Sequence, residues 1–236
     1  MTDMRKHIPN IITLANLFSG CIAITMAFKG NFTAVAAWVA VAALFDFLDG
    51  VFARWLNAYS DIGKELDSLA DVVSFGVAPA AAVFILLRDY ALFPALTGPL
   101  SEFVPYLAFM IPLFSALRLA KFNVDERQTT SFRGLPTPAN GLFWVSLCAG
   151  ISDMAARNSY IFPLIILLIA VLSWLMISEL PMFSLKIKKI TWRGCERQWL
   201  LAALMITFVL LLGISGISLG ILAYIVLSAI PHPANR

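Results

Sequence analysis

Long apolar runs constrain the fold of this chain more than any other feature of its sequence. Of its 236 residues, 60% are hydrophobic and only 13% are charged, and the apolar residues come in runs of membrane-spanning length. A soluble domain of this size has too little interior to bury so much apolar surface. In lipid, helices satisfy their own backbone polar groups. The sequence therefore predicts an all-α, polytopic integral membrane protein built as a helical bundle.

Eight apolar runs are candidate transmembrane helices, and six to eight is the expected range, because the fifth run is interrupted by glycines and the last two are short. The runs cover about residues 8–28, 34–57, 62–87, 98–121, 138–153, 159–178, 199–213 and 216–231. With a cytoplasmic N-terminus, eight spans place all but three (Lys29, Arg88 and Arg157) of the 17 Lys and Arg residues on the cytoplasmic side. This bias predicts that both termini are cytoplasmic. Residues 1–236 then form one membrane-embedded domain, with an additional C-terminal hairpin at about 199–231.

Four aspartates lie at fixed spacing in the second and third runs. Asp46 and Asp49 are one turn apart on one helix, and Asp67 and Asp71 are one turn apart on the next. A short turn near residues 57–61 joins these helices, so the two pairs are expected to face each other near the cytoplasmic surface. Carboxylates inside a membrane are costly and repel one another unless cations neutralise them. Oxygen ligands without His or Cys favour Mg²⁺, Mn²⁺ or Ca²⁺ over zinc, and four carboxylates suit two such cations.

The residues between the two aspartate pairs fit the approach of a phosphate-bearing ligand. Gly50 and Gly63 leave the backbone uncovered on the metal-facing surfaces, although close helix packing explains these glycines equally well. Arg54 supplies a planar guanidinium suited to phosphate, or alternatively a side chain that extends to the lipid headgroups. Ser60 and Asp61 are interpreted as helix-capping residues and not as ligands. The pattern as a whole indicates metal-assisted displacement at phosphorus.

The pattern D-x2-D-G-x2-A-R-x8-G-x3-D-x3-D over residues 46–71 resembles the signature of the CDP-alcohol phosphotransferases, which are integral-membrane enzymes of phospholipid head-group synthesis. The resemblance implies that the four aspartates hold two divalent cations, that Asp67 and Asp71 are catalytic, and that Asp71 is the general base for the acceptor hydroxyl. It also implies that the CDP group is bound by Gly50, Ala53, Arg54 and Gly63, with Arg54 near the pyrophosphate. The catalytic core would then span about residues 9–180 and face the cytoplasm.

Four further stretches resemble the branch of this family that uses serine as its acceptor alcohol. They cover residues 9–20, 67–79, 116–124 and 134–139. Two residues depart from the resemblance: Asn140, where a small residue is expected, and Lys121, where arginine is commoner. The resemblance implies transfer of a phosphatidyl group from CDP-diacylglycerol to L-serine, with release of CMP. It also implies a homodimer surrounded by lipid in the cytoplasmic (inner) membrane of the cell, without a nucleic-acid partner.

Polar side chains outside the signature are candidates for substrate contacts. Thr13 and Asn16 lie one turn apart on the first helix, where they either line the CDP pocket or bond to neighbouring helices. Arg118, near the cytoplasmic end of the fourth span, is the candidate for the serine carboxylate or a substrate phosphate, unless it extends to the headgroups. Lys121, nearer to the interface, and Thr137, in a proline-flanked loop, are further candidates for acceptor binding.

Three alternatives stay open from the sequence. An acceptor that carries a phosphate, such as glycerol 3-phosphate or inositol phosphate, calls for a larger cationic cluster than Arg118, Lys121 and Arg133 provide. An archaeal ether lipid is also compatible with the sequence as the donor. A divalent-cation transporter would use the aspartates for its cargo, but it predicts inverted repeats and broken helices at the membrane midplane, and the sequence contains no such repeat.

Overall fold

The computed structural model describes residues 2–90, 99–124, 132–155, 161–183 and 196–230, and within these ranges the chain is almost entirely helical. Its α-helices are α1 (Thr2–Phe28), α2 (Phe32–Trp55), α3 (Asp61–Asp71), α4 (Ala78–Ile85), α5 (Met110–Val124), α6 (Thr137–Ala155), α7 (Ile161–Ile177), α8 (Glu196–Leu212) and α9 (Gly216–Ala229). Segments of π-helix cover Val72–Val77 and Leu86–Tyr90, and segments of 3-10 helix cover Pro99–Phe109 and Gly213–Ser215. Strands β1 (Phe132–Arg133) and β2 (Pro181–Met182) pair antiparallel, with Arg133 opposite Pro181.

Five segments of the described chain are long and apolar enough to cross a membrane. They are His7–Phe28, Phe32–Trp55, Asp61–Asp89, Glu102–Val124 and Glu196–Ala229. In addition, α7 is apolar but shorter, and α6 occupies the fifth predicted span. These helices agree with an all-α membrane protein. The number of eight spans and the cytoplasmic position of both termini stay predictions.

The C-terminal segment Glu196–Ala229 folds back on itself. Helices α8 and α9 pack against each other. The turn between them holds Gly213 at φ +63°, a left-handed conformation that glycine adopts without steric cost. A Cβ atom at Gly216 would collide with the carbonyl of Phe208, so the missing side chain allows the two helices to approach closely.

The segment Asp61–Asp89 forms the centre of the bundle. In its most apolar window 72% of the residues are buried, against 33% or less in the other four segments. Within it, the π-segment Val72–Val77 joins α3 to α4 just before Pro79. A proline has no N–H and its ring clashes with the carbonyl four residues earlier, and a locally widened helix relieves that clash. The Ala78 N–H accordingly donates to the Val73 carbonyl, five residues back.

Two glycines allow the neighbouring helices to approach this π-segment. A Cβ atom at Gly141 of α6 would lie only 2.9 Å from the Cα atom of Phe75. A Cβ atom at Gly76 would lie 3.2 Å from the Cα atom of Pro112 in α5. The π-segment is therefore clamped between α5 and α6, directly after Asp71.

Much of the apolar core lies where α6 packs against α4 and α7. Its largest fully buried side chains include Phe75, Ile85, Leu135, Phe143, Trp144, Ile165, Ile169 and Leu172. Many large apolar side chains on α1, α2 and α8 are instead exposed. Such an outer surface is expected of helices that contact lipid.

Candidate active site

The turn between α2 and α3 brings the aspartate pairs together. Helix α2 ends at Trp55 and α3 begins at Asp61, and Asn57 between them adopts φ 52°, a left-handed conformation that asparagine tolerates. The Oγ atom of Ser60 accepts a hydrogen bond from the Gly63 N–H at 3.0 Å, which confirms the predicted capping role of Ser60. This short antiparallel connection turns the carboxylate-bearing face of α2 toward that of α3.

Three of the four carboxylates converge tightly, and the fourth adjoins them. Carboxylate oxygens of Asp46, Asp49 and Asp67 all lie within 4.8 Å of one another. Asp71 lies beside Asp46, and both Asp49 and Asp71 are only 6% exposed. The Oδ1 atoms of Asp67 and Asp71 are buried and have no hydrogen-bond partner among the described residues. Unmatched carboxylate oxygens in an all-oxygen donor set fit divalent cations, so the residues present match the predicted metal centre.

Helix α1 supports this centre through Thr13 and Asn16. The Thr13 hydroxyl donates to Asp49 Oδ2 at 2.6 Å and lies 3.0 Å from the Pro9 carbonyl oxygen. Asn16 is fully buried next to Asp71, and neither its Nδ2 nor its Oδ1 atom has a hydrogen-bond partner within the described part of the chain. Thr13 therefore contacts Asp49, a candidate metal ligand, and Asn16 lies next to Asp71, the candidate general base.

An open cleft of about 230 Å³ adjoins the carboxylates. It is lined by Pro9, Asn10, Thr13, Asp49, Gly50, Ala53, Ala58, Tyr59, Ser60, Gly63, Lys64 and Asp67. Four residues predicted to bind CDP are among them, namely Thr13, Gly50, Ala53 and Gly63. Asn16 and Arg54, predicted for the same role, lie outside this lining, so their contact with CDP stays a prediction. Because Asp49 and Asp67 border the cleft, a ligand in it would reach the carboxylates.

Two signature glycines have different surroundings. A Cβ atom at Gly50 would meet nothing closer than Arg54 Nη1 at 3.5 Å, so the exposed guanidinium lies over an otherwise open glycine. This space favours the interpretation that Gly50 lets a ligand approach the backbone. A Cβ atom at Gly63 would lie 3.0 Å from Asn10 Oδ1, so Gly63 also serves the close packing of α3 on α1.

Sequence reasoning missed several residues that line the cleft, among them Asn10, Tyr59 and Lys64. Asn10 lies one turn before Thr13, and this polar pair on one helix face is a signal that identifies it. Lys64 Nζ donates to the Asn123 carbonyl oxygen at 3.0 Å and so ties the start of α3 to the end of α5. No local pattern indicates that contact, because the two residues are 59 positions apart.

Two of the three acceptor-binding candidates meet between α5 and α6. Arg118 is 8% exposed, and its Nη1 atom donates to Thr137 Oγ1 at 3.1 Å. Its charge interacts with that of Asp71, whereas its Nε atom has no hydrogen-bond partner among the residues described. The alternative of an Arg118 side chain extended to the headgroups is therefore wrong. Lys121 is exposed one turn later, and its role in acceptor binding stays a prediction.

The loop before α6 is fastened to the end of α7. Gly134 has φ +72°, and a Cβ atom there would lie 2.5 Å from the Met176 carbonyl oxygen. The Gly134 N–H donates to the Leu180 carbonyl at 2.9 Å. Arg133 forms an ion pair with Glu179 at 2.7 Å. Because Arg133 is engaged by Glu179, it adds little to a phosphate-binding cluster around Arg118.

A family model for CDP-alcohol phosphatidyltransferases matches residues 6–230. The chain belongs to this family. It is 37% identical over 142 residues to a CDP-diacylglycerol–serine O-phosphatidyltransferase of Bacillus subtilis, covering 60% of this chain and 75% of the relative. A relative of the same name from Methanocaldococcus jannaschii is 35% identical over 182 residues, or 76% of each chain. An archaetidylserine synthase of Methanothermobacter thermautotrophicus is 36% identical over 133 residues, covering 56% of this chain and 53% of the relative.

As a CDP-alcohol phosphatidyltransferase, the protein is an enzyme, and its apolar helices are those of a membrane protein. The alternative of a divalent-cation transporter therefore loses its support. Membership also accounts for the combination of a carboxylate centre with a neighbouring cleft, since a CDP-alcohol carries a pyrophosphate that such a centre can neutralise once cations are bound.

Proposed function

We propose that this phosphatidyltransferase transfers the phosphatidyl group of CDP-diacylglycerol to the hydroxyl of L-serine, giving phosphatidylserine and CMP. The proposal is carried by the cluster of Asp46, Asp49 and Asp67, with Asp71 beside it, next to a cleft that the signature glycines help to line. The names of the Bacillus and Methanocaldococcus relatives support serine as the acceptor. The archaetidylserine synthase relative supports an ether-lipid donor as the second candidate, with the same acceptor and the same chemistry.

Asp46, Asp49, Asp67 and Asp71 would hold two divalent cations, either Mg²⁺ or Mn²⁺, and Ca²⁺ is compatible with the same oxygen ligands. When bound, these cations neutralise charge on the pyrophosphate and on the departing CMP. The hydrogen bond from Thr13 holds Asp49 Oδ2, which orients the carboxylate and leaves its second oxygen available.

The chain's own side chains position the two substrates and move the proton. CDP lies in the cleft, where Gly50 and Ala53 present little side chain, and Arg54 turns from Gly50 to the pyrophosphate. Asp71 accepts the proton of the serine hydroxyl as the serine oxygen bonds to the phosphorus of the phosphatidyl group. The bond from that phosphorus to the bridging oxygen breaks, and CMP leaves with the electron pair. Arg118, held by Thr137, binds the serine carboxylate.

The enzyme acts as a homodimer in the cytoplasmic membrane, with its active site facing the cytoplasm. The excess of Lys and Arg on the predicted cytoplasmic side supports this orientation. Cysteine labelling from each side of sealed vesicles tests the orientation, with one cysteine introduced at the exposed Tyr59 in the α2–α3 turn of a variant in which the three native cysteines are replaced. Labelling from the outside alone would contradict it. The mass of the protein in detergent tests the dimer.

CMP release from CDP-diacylglycerol by the purified protein in detergent tests the reaction, with L-serine, glycerol 3-phosphate and inositol phosphate offered in turn. We expect release that depends on serine, and a loss of at least about 100-fold in Asp67→Asn, because a half-buried metal-ligand candidate is removed. Glu65→Gln, an exposed change on the same helix, is the matched control and should keep the activity.

Three outcomes of this experiment bear on different parts of the proposal. Release that requires a phosphorylated acceptor would show that serine is not the substrate. Full activity in Asp67→Asn would contradict the metal mechanism. A comparison of diacyl and ether CDP-lipids at equal concentration identifies the donor.

A further inference from the structure

A buried amide lies among the three helices α5, α6 and α7 without a full set of hydrogen bonds. Asn140 is fully buried, and its Nδ2 atom donates to the Met176 sulfur at 3.2 Å. Its Oδ1 atom is buried and has no hydrogen-bond partner in the described part of the chain. A thioether sulfur accepts but does not donate, so this contact directs the NH₂ group toward Met176 and leaves the carbonyl oxygen unmatched. Burial of an unmatched carbonyl costs free energy, which a bound donor would recover.

The unmatched carbonyl lies near Arg118, whose guanidinium is only partly hydrogen-bonded among the described residues. Asn140 is one turn after Thr137 on the same face of α6, and Thr137 accepts the hydrogen bond from Arg118 Nη1. The Nε atom of Arg118 is also buried without a partner among the described residues. Ser115, one turn before Arg118, lies 4.0 Å from the same Met176 sulfur that Asn140 contacts. The Arg118 side of α5 and the Asn140 side of α6 therefore adjoin the same residue of α7.

We call Arg118, Thr137 and Asn140 the acceptor cluster. The π-segment Val72–Val77 connects this cluster with the carboxylates of the candidate active site. Gly141, the residue after Asn140, packs on Phe75, four residues after Asp71. The charge of Arg118 interacts with that of Asp71. An acceptor held by the cluster would thus lie on the side of the π-segment that leads to the general-base candidate.

We propose that Asn140 Oδ1 binds the α-ammonium group of the acceptor amino acid while Arg118 binds its carboxylate. An ammonium group only donates and a carboxylate only accepts, so a zwitterion satisfies both unmatched groups of the cluster. A neutral amide suits this position, because a carboxylate there would pair with Arg118 and close the site to the substrate's own carboxylate. This assignment rests on the proposed function. It predicts that the acceptor site selects an amino acid in preference to a hydroxy acid or a phosphorylated alcohol.

Kinetics with serine analogues on the full-length protein test the assignment. Asn140→Leu removes the carbonyl and keeps the branched shape of the side chain, and we expect the KM for L-serine to rise at least about tenfold. The KM for CDP-diacylglycerol should change little. The inhibition constant of 3-hydroxypropionate, which has the hydroxyl and carboxylate but no ammonium group, should stay the same. Serinol, which has the ammonium group but no carboxylate, should lose affinity as serine does.

Two further variants make the outcome decisive. Ser146→Ala is the matched control, because Ser146 is buried on the same helix and its Oγ hydrogen-bonds to Ser218 Oγ at 2.9 Å. Its KM for serine should equal that of the wild type. Asn140→Ala replaces the leucine variant if thermal unfolding shows that the latter does not fold.

The results separate this assignment from the proposed function. Unchanged KM for serine in the Asn140 variants, or equal weakening of serine and 3-hydroxypropionate, would overturn the ammonium assignment and leave the serine reaction intact. CMP release that does not depend on serine in the wild type would contradict the proposed function itself.

Discussion

Replacement of Thr13 by valine is expected to weaken metal binding without removing a metal ligand. The Thr13 hydroxyl lies 2.6 Å from Asp49 Oδ2, and the two residues are 3% and 6% exposed, so water cannot replace this bond easily. A hydrogen bond to a charged group contributes about 1.5–3 kcal/mol, which corresponds to roughly 10- to 150-fold in affinity. Loss of a partner that orients a metal ligand typically costs about 10- to 100-fold, in the same range.

The measurement is a titration of Mn²⁺ followed by the electron paramagnetic resonance signal of the free ion. We expect the Kd for Mn²⁺ to rise about 10- to 100-fold in Thr13→Val, and the rate at saturating Mn²⁺ to return close to that of the wild type. Valine keeps the β-branched shape, so the packing of α1 should be unaffected.

Thr25→Val is the matched control for this measurement. Thr25 belongs to the same helix, and its hydroxyl donates only to the local Ile22 carbonyl at 2.7 Å. Its Mn²⁺ affinity should equal that of the wild type. A Thr13→Val protein with unchanged Mn²⁺ affinity would refute the reasoning that the threonine orients a metal ligand.

Three glycine substitutions distinguish packing from ligand access. Gly50→Ala should keep or slightly raise the unfolding temperature, because the new Cβ atom meets nothing closer than 3.5 Å and alanine favours a helix by about 1 kcal/mol. CMP release should nevertheless fall in this variant, and normal release would contradict the approach of a ligand to the backbone of Gly50. Gly141→Ala should instead lower stability by about 1–3 kcal/mol through overpacking, measured by thermal unfolding in detergent; an unchanged midpoint would show that α6 can shift. Gly134→Ala forces alanine into a left-handed conformation, which costs about 1–2 kcal/mol of stability, and pushes the loop away from α7. The KM for serine should then rise more than the KM for CDP-diacylglycerol. Equal changes in the two KM values would count against a role of this loop in acceptor binding.

Helix positions were predictable wherever the chain interacts mainly with lipid. The runs at about 8–28 and 34–57 correspond to the membrane-length helices His7–Phe28 and Phe32–Trp55, and the run at about 62–87 corresponds to Asp61–Asp89. Agreement is good here because apolar length is a local property of the sequence. The π-segment inside Asp61–Asp89 was not predicted, although Pro79 is a local reason for it.

The side-chain contacts between helices at the candidate site were not predictable, because they join distant parts of the chain. Thr13 was expected to line the CDP pocket or bond to a neighbouring helix; the structure shows that it lines the cleft and bonds to Asp49, 36 positions away, while its contact with CDP stays a prediction. The contact between Asn140 and Met176 also spans 36 positions. No period of a single helix encodes such pairs.

The sequence by itself determined the chemistry at the centre of this protein. Two aspartate pairs, each on one helix face and joined by a short turn, are expected to meet as a cluster of carboxylate oxygens, because helical spacing and the length of the turn are local properties. The tertiary structure alone decided which groups surround that cluster. Whether Arg118 reaches the headgroups or is buried against Thr137, and whether the Asn140 carbonyl lacks a partner, depends on how α5, α6 and α7 pack around the π-segment. Burial is a property of that packing, and for this reason the proposed role of the Asn140 carbonyl could be inferred only from the folded protein.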